Sequence, residues 1–272
     1  MNGFETSATS LDGWGPVPLG EVLGAVLALK RREFRRRSTP VTAAGTPVGA
    51  VWRPDPGEVP ILVFGCAGSV GASTVALLLA HSAGRSRVVE CSPGACSGLA
   101  GASTAELGEA ANGWVEGSRG EVRLQRRSDQ VMTPDGLPTP VPGWPGGVSV
   151  VDCWWDVRSV LACNGSLADL ARSCPRVVLV ARATVPGMRQ LESSLALLEL
   201  ERCWAVATGL PLRRWPHTVE HTLGARTRHL RQAGRLVGLP DDTSLSLSGI
   251  TTEALPRSFN QSASLLLRGL LP

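Results

Sequence analysis

Ile61-Leu-Val-Phe-Gly-Cys-Ala-Gly-Ser-Val-Gly-Ala-Ser-Thr74 is the stretch that decides the fold. Its first half, with Pro60, is a short apolar run of the kind buried in a parallel sheet. Its middle is punctuated by Gly65, Gly68 and Gly71, and its end leads into the apolar segment Ala72 to Ser82, which reads as a helix. A strand running through a glycine-rich turn into a helix start makes an anion site, because backbone N–H groups converge there and the helix dipole favours negative charge. The same glycines also serve where only a tight turn is needed, so the stretch alone leaves both uses open.

Working outward, the following segments alternate strand and helix. Ser86 to Cys91, Val148 to Asp152, Arg176 to Arg182, Cys203 to Ala207 and Arg235 to Leu239 read as strands. Ser103 and Glu106 have capping-box spacing and predict a helix reaching about Asn112. Ser166 and Asp169 open another helix. Met188, Leu191, Leu195 and Leu198 make one helix face, and Phe259 to Leu271 a closing helix. Gln125 to Gly147, rich in Pro and Gly, predicts a long surface loop or hairpin. Strands separated by helices of this length imply parallel βαβ units, hence an α/β fold with a mostly parallel central sheet flanked by helices.

The chain divides at about residue 57. In the segment before it, Leu19, Val22, Leu23, Val26 and Leu27 follow helical spacing and run into Lys30, Arg31, Arg32, Arg35, Arg36 and Arg37. This predicts an amphipathic helix with a basic end over residues 19–37, and then a Pro/Gly linker to Gly57. The helix suits packing on the main domain, reversible contact with a membrane surface or partner, or a nucleic-acid arm. Residues 58–272 form the main domain.

Composition narrows the function classes. A formal net charge of +4 argues neither for nor against nucleic acid. Seven cysteines, an odd number with no CxxC pair, argue against a disulfide framework or zinc site and for buried free thiols. There is no signal-peptide pattern and no apolar run of about 18 residues, so a soluble, cytoplasmic chain is expected. Nearly all the positive charge is arginine, and Lys30 is the only lysine. Arg213, Arg214 and Trp215 are the one tight interleaving of aromatic and cation that could stack a single-stranded base.

The Gly-rich stretch resembles the deviant phosphate loop of ParA/MinD ATPases, which reads KGGxGKTT. The matching residues are Ala67, Gly68, Ser69, Val70, Gly71, Ala72, Ser73 and Thr74. The resemblance implies a Rossmann-like P-loop NTPase fold in which residues 68–74 hold the phosphates of ATP or ADP. It implies that Ser73 and Asp152 arrange Mg²⁺, with Glu90 and Asp152 the acids of any catalysis. Val88-Val-Glu-Cys-Ser-Pro93 matches a strand that ends in DxD in the family, with Glu90 and Ser92 in place of the aspartates. Val148-Ser-Val-Val-Asp152 matches the Walker B strand. Leu239, Pro240, Asp241, Leu245 and Gly249 match a late motif of the form xIPyDxxL.

Both family lysines are missing, replaced by Ala67 and Ala72. Codon drift toward arginine explains neither change. Losing a charged donor at the transferring phosphate costs on the order of 3 kcal/mol of transition-state stabilisation, so weak or no hydrolysis is expected. Phrases such as VVDCWWDV and GRLVGLPDD further resemble a ParA/MinD-like group carried on conjugative plasmids and integrative elements. That resemblance implies a homodimeric positioning or scaffolding factor for plasmid transfer or partition; the alternatives are an active Mg-ATPase using a non-lysine site, a DNA-binding partition protein or a pure protein-interaction module. Its partners would be conjugation or secretion machinery, with any membrane contact at the inner face.

Overall fold

The computed structural model describes residues 52–271. The predicted amphipathic helix over 19–37, with its membrane, partner or nucleic-acid roles, lies outside the described residues.

The first half of the domain carries β1 (Val59–Gly65), α1 (Ala72–Ala83), β2 (Ser86–Cys91), β3 (Ala105–Glu109), β4 (Trp114–Arg119), β5 (Val122–Arg127) and β6 (Val148–Cys153). Then come α2 (Val157–Ala162), α3 (Ser166–Ser173), β7 (Val177–Arg182), α4 (Val185–Leu195), β8 (Cys203–Gly209), α5 (His217–Thr222), α6 (Ala225–Gln232), β9 (Leu236–Pro240), α7 (Thr243–Ser248) and α8 (Asn260–Leu270). The strands form a single sheet in the order β3-β4-β5-β2-β6-β1-β7-β8-β9. Every pairing from β5 to β9 is parallel; β3–β4 and β4–β5 are antiparallel.

The valine-rich runs β2, β6 and β7 are almost wholly buried because helices cover both faces. Ile61, Val63, Val88, Val150 and Val178 face α1 and α8, while Leu62, Phe64, Val89, Val151 and Leu179 face the layer of α2 to α6. Local chemistry sets the helix starts. Asp156, Thr184 and Asp242 cap α2, α4 and α7 by accepting from Ser159, Gly187 and Leu245 N–H.

Two expectations change. The segment after Ser103 is a strand, not a helix. Gly108, Asn112 and Gly113 take positive φ of 96°, 61° and 73°, which a helix cannot accommodate, and β4 supplies the backbone partners instead. Glu106 therefore pairs across the sheet with Arg126 rather than capping a helix. Of Gln125 to Gly147, residues 128–147 form the predicted long loop, but its start and its anchors are buried. Gln125, Arg126 and Arg127 belong to buried β5, and Val131 and Leu137 anchor the following loop in the core.

At the amino-terminal ends of the strands a buried ion pair ties β1, β2 and β6. The Arg87 guanidinium donates to Glu58 and Ser149, each at 2.6 Å, and to the Val141 carbonyl, with the Trp52 ring beside it. Trp52 is itself buried, and Asp55 accepts from the N–H groups of Gly143 and Trp144. Of the other tryptophans, Trp114, Trp155 and Trp215 are buried and Trp154 is half exposed. No described helix is long and apolar enough to cross a membrane. All seven cysteines are free; Cys91, Cys153, Cys174 and Cys203 are buried, whereas Cys96 is exposed.

Candidate functional site

β1 lies between β6 and β7, with β2 beyond β6 on one side and β8 and β9 on the other. The strand order therefore turns at β1, and ligands of parallel sheets bind outside the carboxyl ends of strands at such a point. A cavity of about 480 Å³ lies there.

Its floor is the loop from Cys66 to Gly71. The Cys66 N–H donates to the Val180 carbonyl at 2.8 Å, and the Thr208 hydroxyl donates to the Val70 carbonyl at 2.9 Å, so β7 and β8 hold the loop from one side. Ser69 and Gly71 have φ of 56° and 91°. The left-handed conformation costs a non-glycine residue such as Ser69 roughly 1–2 kcal/mol. Gly71 precedes α1 without any side-chain cap, and the first turn carries no acidic residue. The first N–H groups of α1 thus have no capping side chain. Gly68, Ser69, Val70, Gly71, Ala72, Ser73 and Thr74 all line the cavity.

One end of the cavity is acidic. Glu90 and Asp152 are register partners on β2 and β6, with side chains on the same face. Burial, then the charge of Glu90, pushes Asp152 up to about 7, opposed by the neighbouring Ser73 hydroxyl. Burial also raises Glu90, against the donors that hold it. The Ser97 hydroxyl and the N–H groups of Gly98 and Leu99, at 2.6 and 3.0 Å, donate to the Glu90 carboxylate. Glu90 thereby ties down the loop after β2. Ser92, which also lines the cavity, has a buried hydroxyl with no hydrogen-bond partner.

The other end holds Arg182, paired with Asp241 at 2.6 and 2.9 Å. Four carboxyls, of Glu90, Asp152, Asp241 and Asp242, line the cavity against this one guanidinium. Among the described residues, Ala72 places a methyl group rather than a cation in the cavity wall.

The structure thus brings residues 68–74, Glu90 and Asp152 to one cavity, and adds Gly98, Trp154, Arg182 and Thr208. A Cβ on Gly98 would lie 2.9 Å from the Ser73 Oγ, so the loop held by Glu90 closes directly on that hydroxyl. No sequence spacing links Gly98 to Ser73. The terminal position of Thr208 on a strand is the only sign it gives. The base-stacking candidate is corrected: Trp215 is buried and its ring N–H donates to the Leu210 carbonyl, leaving Arg213 and Arg214 without an exposed ring between bases.

No family model and no curated protein matches the chain in sequence. Its fold is similar to several solved structures. A plasmid partition protein from Borrelia burgdorferi bound to AMPPNP matches at 12% identity and TM-score 0.44, over 79% of this chain and 97% of that one. MinD in the MinC:MinD complex of Aquifex aeolicus matches at 14% and 0.49, over 79% and 95%. MinD of Pyrococcus horikoshii complexed with Mg-ADP matches at 13% and 0.48, over 79% and 96%. Identities and TM-scores this low transfer neither a family nor residue roles to this chain.

Proposed function

We propose that this chain is a ParA/MinD-like nucleotide-binding protein that positions or scaffolds other components, in plasmid transfer or partition, with little turnover. The observation that carries this is the uncapped start of α1 opening into a cavity at the turning point of the sheet. Backbone N–H groups there suit phosphate oxygens.

Mg²⁺ fits the acidic end. Ser73 and Asp152 offer hard oxygen donors, and the orphaned Ser92 hydroxyl adds a third polar atom within the same wall. When bound, the ion would supply the positive charge that the Ala72 methyl group cannot. The chain's own contribution is to hold phosphates with the loop amides and to exclude water with the loop over Ser73. Glu90 is occupied with that loop and is not free to act as a base, which favours occupancy over hydrolysis. Nucleotide occupancy would then shift a monomer–dimer population in proportion to its preference for the dimer. Conjugation or secretion machinery would read that state.

The test is calorimetric titration with ATP, ADP, GTP and GDP in Mg²⁺, beside Gly71→Val. Valine is disfavoured at a φ of 91°. We expect saturable binding that Gly71→Val abolishes while the circular dichroism spectrum persists. Absence of binding at millimolar nucleotide, or binding untouched by Gly71→Val, overturns the proposal. Turnover that Asp152→Ala abolishes would replace it with an active ATPase.

A further inference from the structure

Two loops that start on opposite sides of β1 meet beside the start of α1. The first follows β2. Glu90 holds it at Ser97, Gly98 and Leu99, and it continues through Gly101 and Ala102 to β3. The second joins α7 to α8 and includes Gly249, Ile250, Thr251 and Glu253. Gly98, Gly249 and Ile250 line the cavity, and Leu99, Ala102 and Ile250 pack in the same apolar core as α1. The loops touch at Gly101, where a Cβ would lie 2.8 Å from the Ile250 carbonyl oxygen. A side chain there would force the two backbones apart, so glycine is required for the approach.

One side chain fastens both loops. Arg119 ends β4 and is 6% exposed. Its guanidinium donates to the Ala102 carbonyl on the first loop and to the Thr251 and Glu253 carbonyls on the second. It forms no ion pair with a carboxylate among the described residues. Arg126 also donates to the first loop, at the Ala100 carbonyl, but among the described residues it does not reach the second. A guanidinium presents its N–H donors in a rigid fork, which lets one residue span two backbones. Withdrawing the second loop alone would strip Arg119 of two of these three acceptors, and an unpaired buried donor is costly. The two loops are therefore held together as one unit.

Resting on the nucleotide-binding reading above, the structure assigns Arg119 as a positioning residue that latches these loops into a bridge at the phosphate end of the cavity, and so sets how long a nucleotide stays bound. Arg119 does not line the cavity; it acts through Gly98 and Ile250, which do. With the bridge latched, bound phosphates are shielded on the side of α1, and release waits on the loops parting. Slow release is what a protein that signals by occupancy rather than by turnover requires.

The test is stopped-flow displacement of mant-ADP, a fluorescent ADP, in Mg²⁺ from the full chain and from Arg119→Ala, Arg119→Lys and Gly101→Ala, each checked as folded by circular dichroism. Gly101→Ala parts the loops without touching the guanidinium. Lysine keeps the charge but lacks the fork that spans both loops. Dissociation is expected to be about tenfold faster in Arg119→Ala and Gly101→Ala and less accelerated in Arg119→Lys, with association within about threefold of the parent, since such changes fall mostly on dissociation. Hydrogen exchange at residues 98–102 and 249–253 should slow when ADP is added to the parent, and much less in Arg119→Ala. If Arg119→Ala does not fold, Arg119→Lys and Gly101→Ala decide the matter by the same rates. Folded variants that release mant-ADP at the parent rate, whatever their stability, overturn the latch and leave nucleotide binding standing. Failure of the parent to bind mant-ADP overturns the nucleotide reading itself, and this one with it.

Discussion

Glu90 and Asp152 sit side by side in register on two neighbouring parallel strands, both buried. Burial raises both, and the charge of Glu90 raises Asp152 further. In a P-loop built with lysine, a cation would relieve this. Here the side chain at that position is the methyl group of Ala72, so the acid pair remains in the folded protein as an electrostatic cost near neutrality.

The sign of the resulting pH dependence follows directly. Asp152 is held up to about 7 in the folded chain, against an ordinary 3.8. Between those values the folded state binds more protons than the unfolded one, so stability falls as pH rises from about 4 to about 7. Asp152→Asn removes the charge. It should raise the melting temperature at pH 8 relative to the parent and leave it nearly unchanged at pH 4. Melting curves from pH 4 to 8 check this; a parent chain that grows more stable from pH 5 to pH 7, with no difference from Asp152→Asn, would contradict it.

Ala72→Lys places a cation at the start of α1. The ammonium should tighten triphosphate binding by about tenfold or more, as charged donors to phosphate do. It should also draw Asp152 back toward its ordinary range and flatten the pH dependence of stability. Calorimetry and melting curves read the two effects on the same sample.

Gly98→Ala tests the loop over Ser73. The added methyl would lie 2.9 Å from the Ser73 Oγ and 3.2 Å from its Cβ, so the loop must shift as well as the hydroxyl. The expected stability loss is about 1–3 kcal/mol, the range of overpacking substitutions. Mg²⁺-dependent nucleotide affinity should fall several-fold. Urea denaturation and calorimetry separate the two; a large stability loss with unchanged affinity would place the contact in folding rather than in the site.

Arg87→Ala leaves Glu58 buried without its partner. Both side chains are about 2% exposed or less. Removing one member of a buried pair costs roughly 3–5 kcal/mol, and urea midpoints should show it. Because the pair lies at the opposite ends of the strands from the cavity, affinity at concentrations where the variant is folded should stay within about twofold of the parent.

Much of this was legible in the chain itself. The valine-rich runs at Ser86, Val148 and Val177 begin strands within a residue of where they read, because burial on both faces demands continuous apolar sequence. Gly68 to Thr74 were legible as a turn before a helix, since backbone conformations such as that of Gly71 are written in local residue choice. Ser103 to Asn112 misled, because a capping-box spacing is a weak local preference and the free edge of β4 supplied backbone partners that no local signal announces. The contacts that give the cavity its character are long-range. Glu90 holding Gly98, Gly98 lying against Ser73, and Arg182 meeting Asp241 across Gly209 depend on which strands become neighbours. Sequence alone determined the strand–turn–helix and the absence of lysine from residues 67–74, because those are properties of consecutive residues. Only the tertiary structure decided where the remaining charges meet, because strand order fixes distances between residues that the chain keeps far apart.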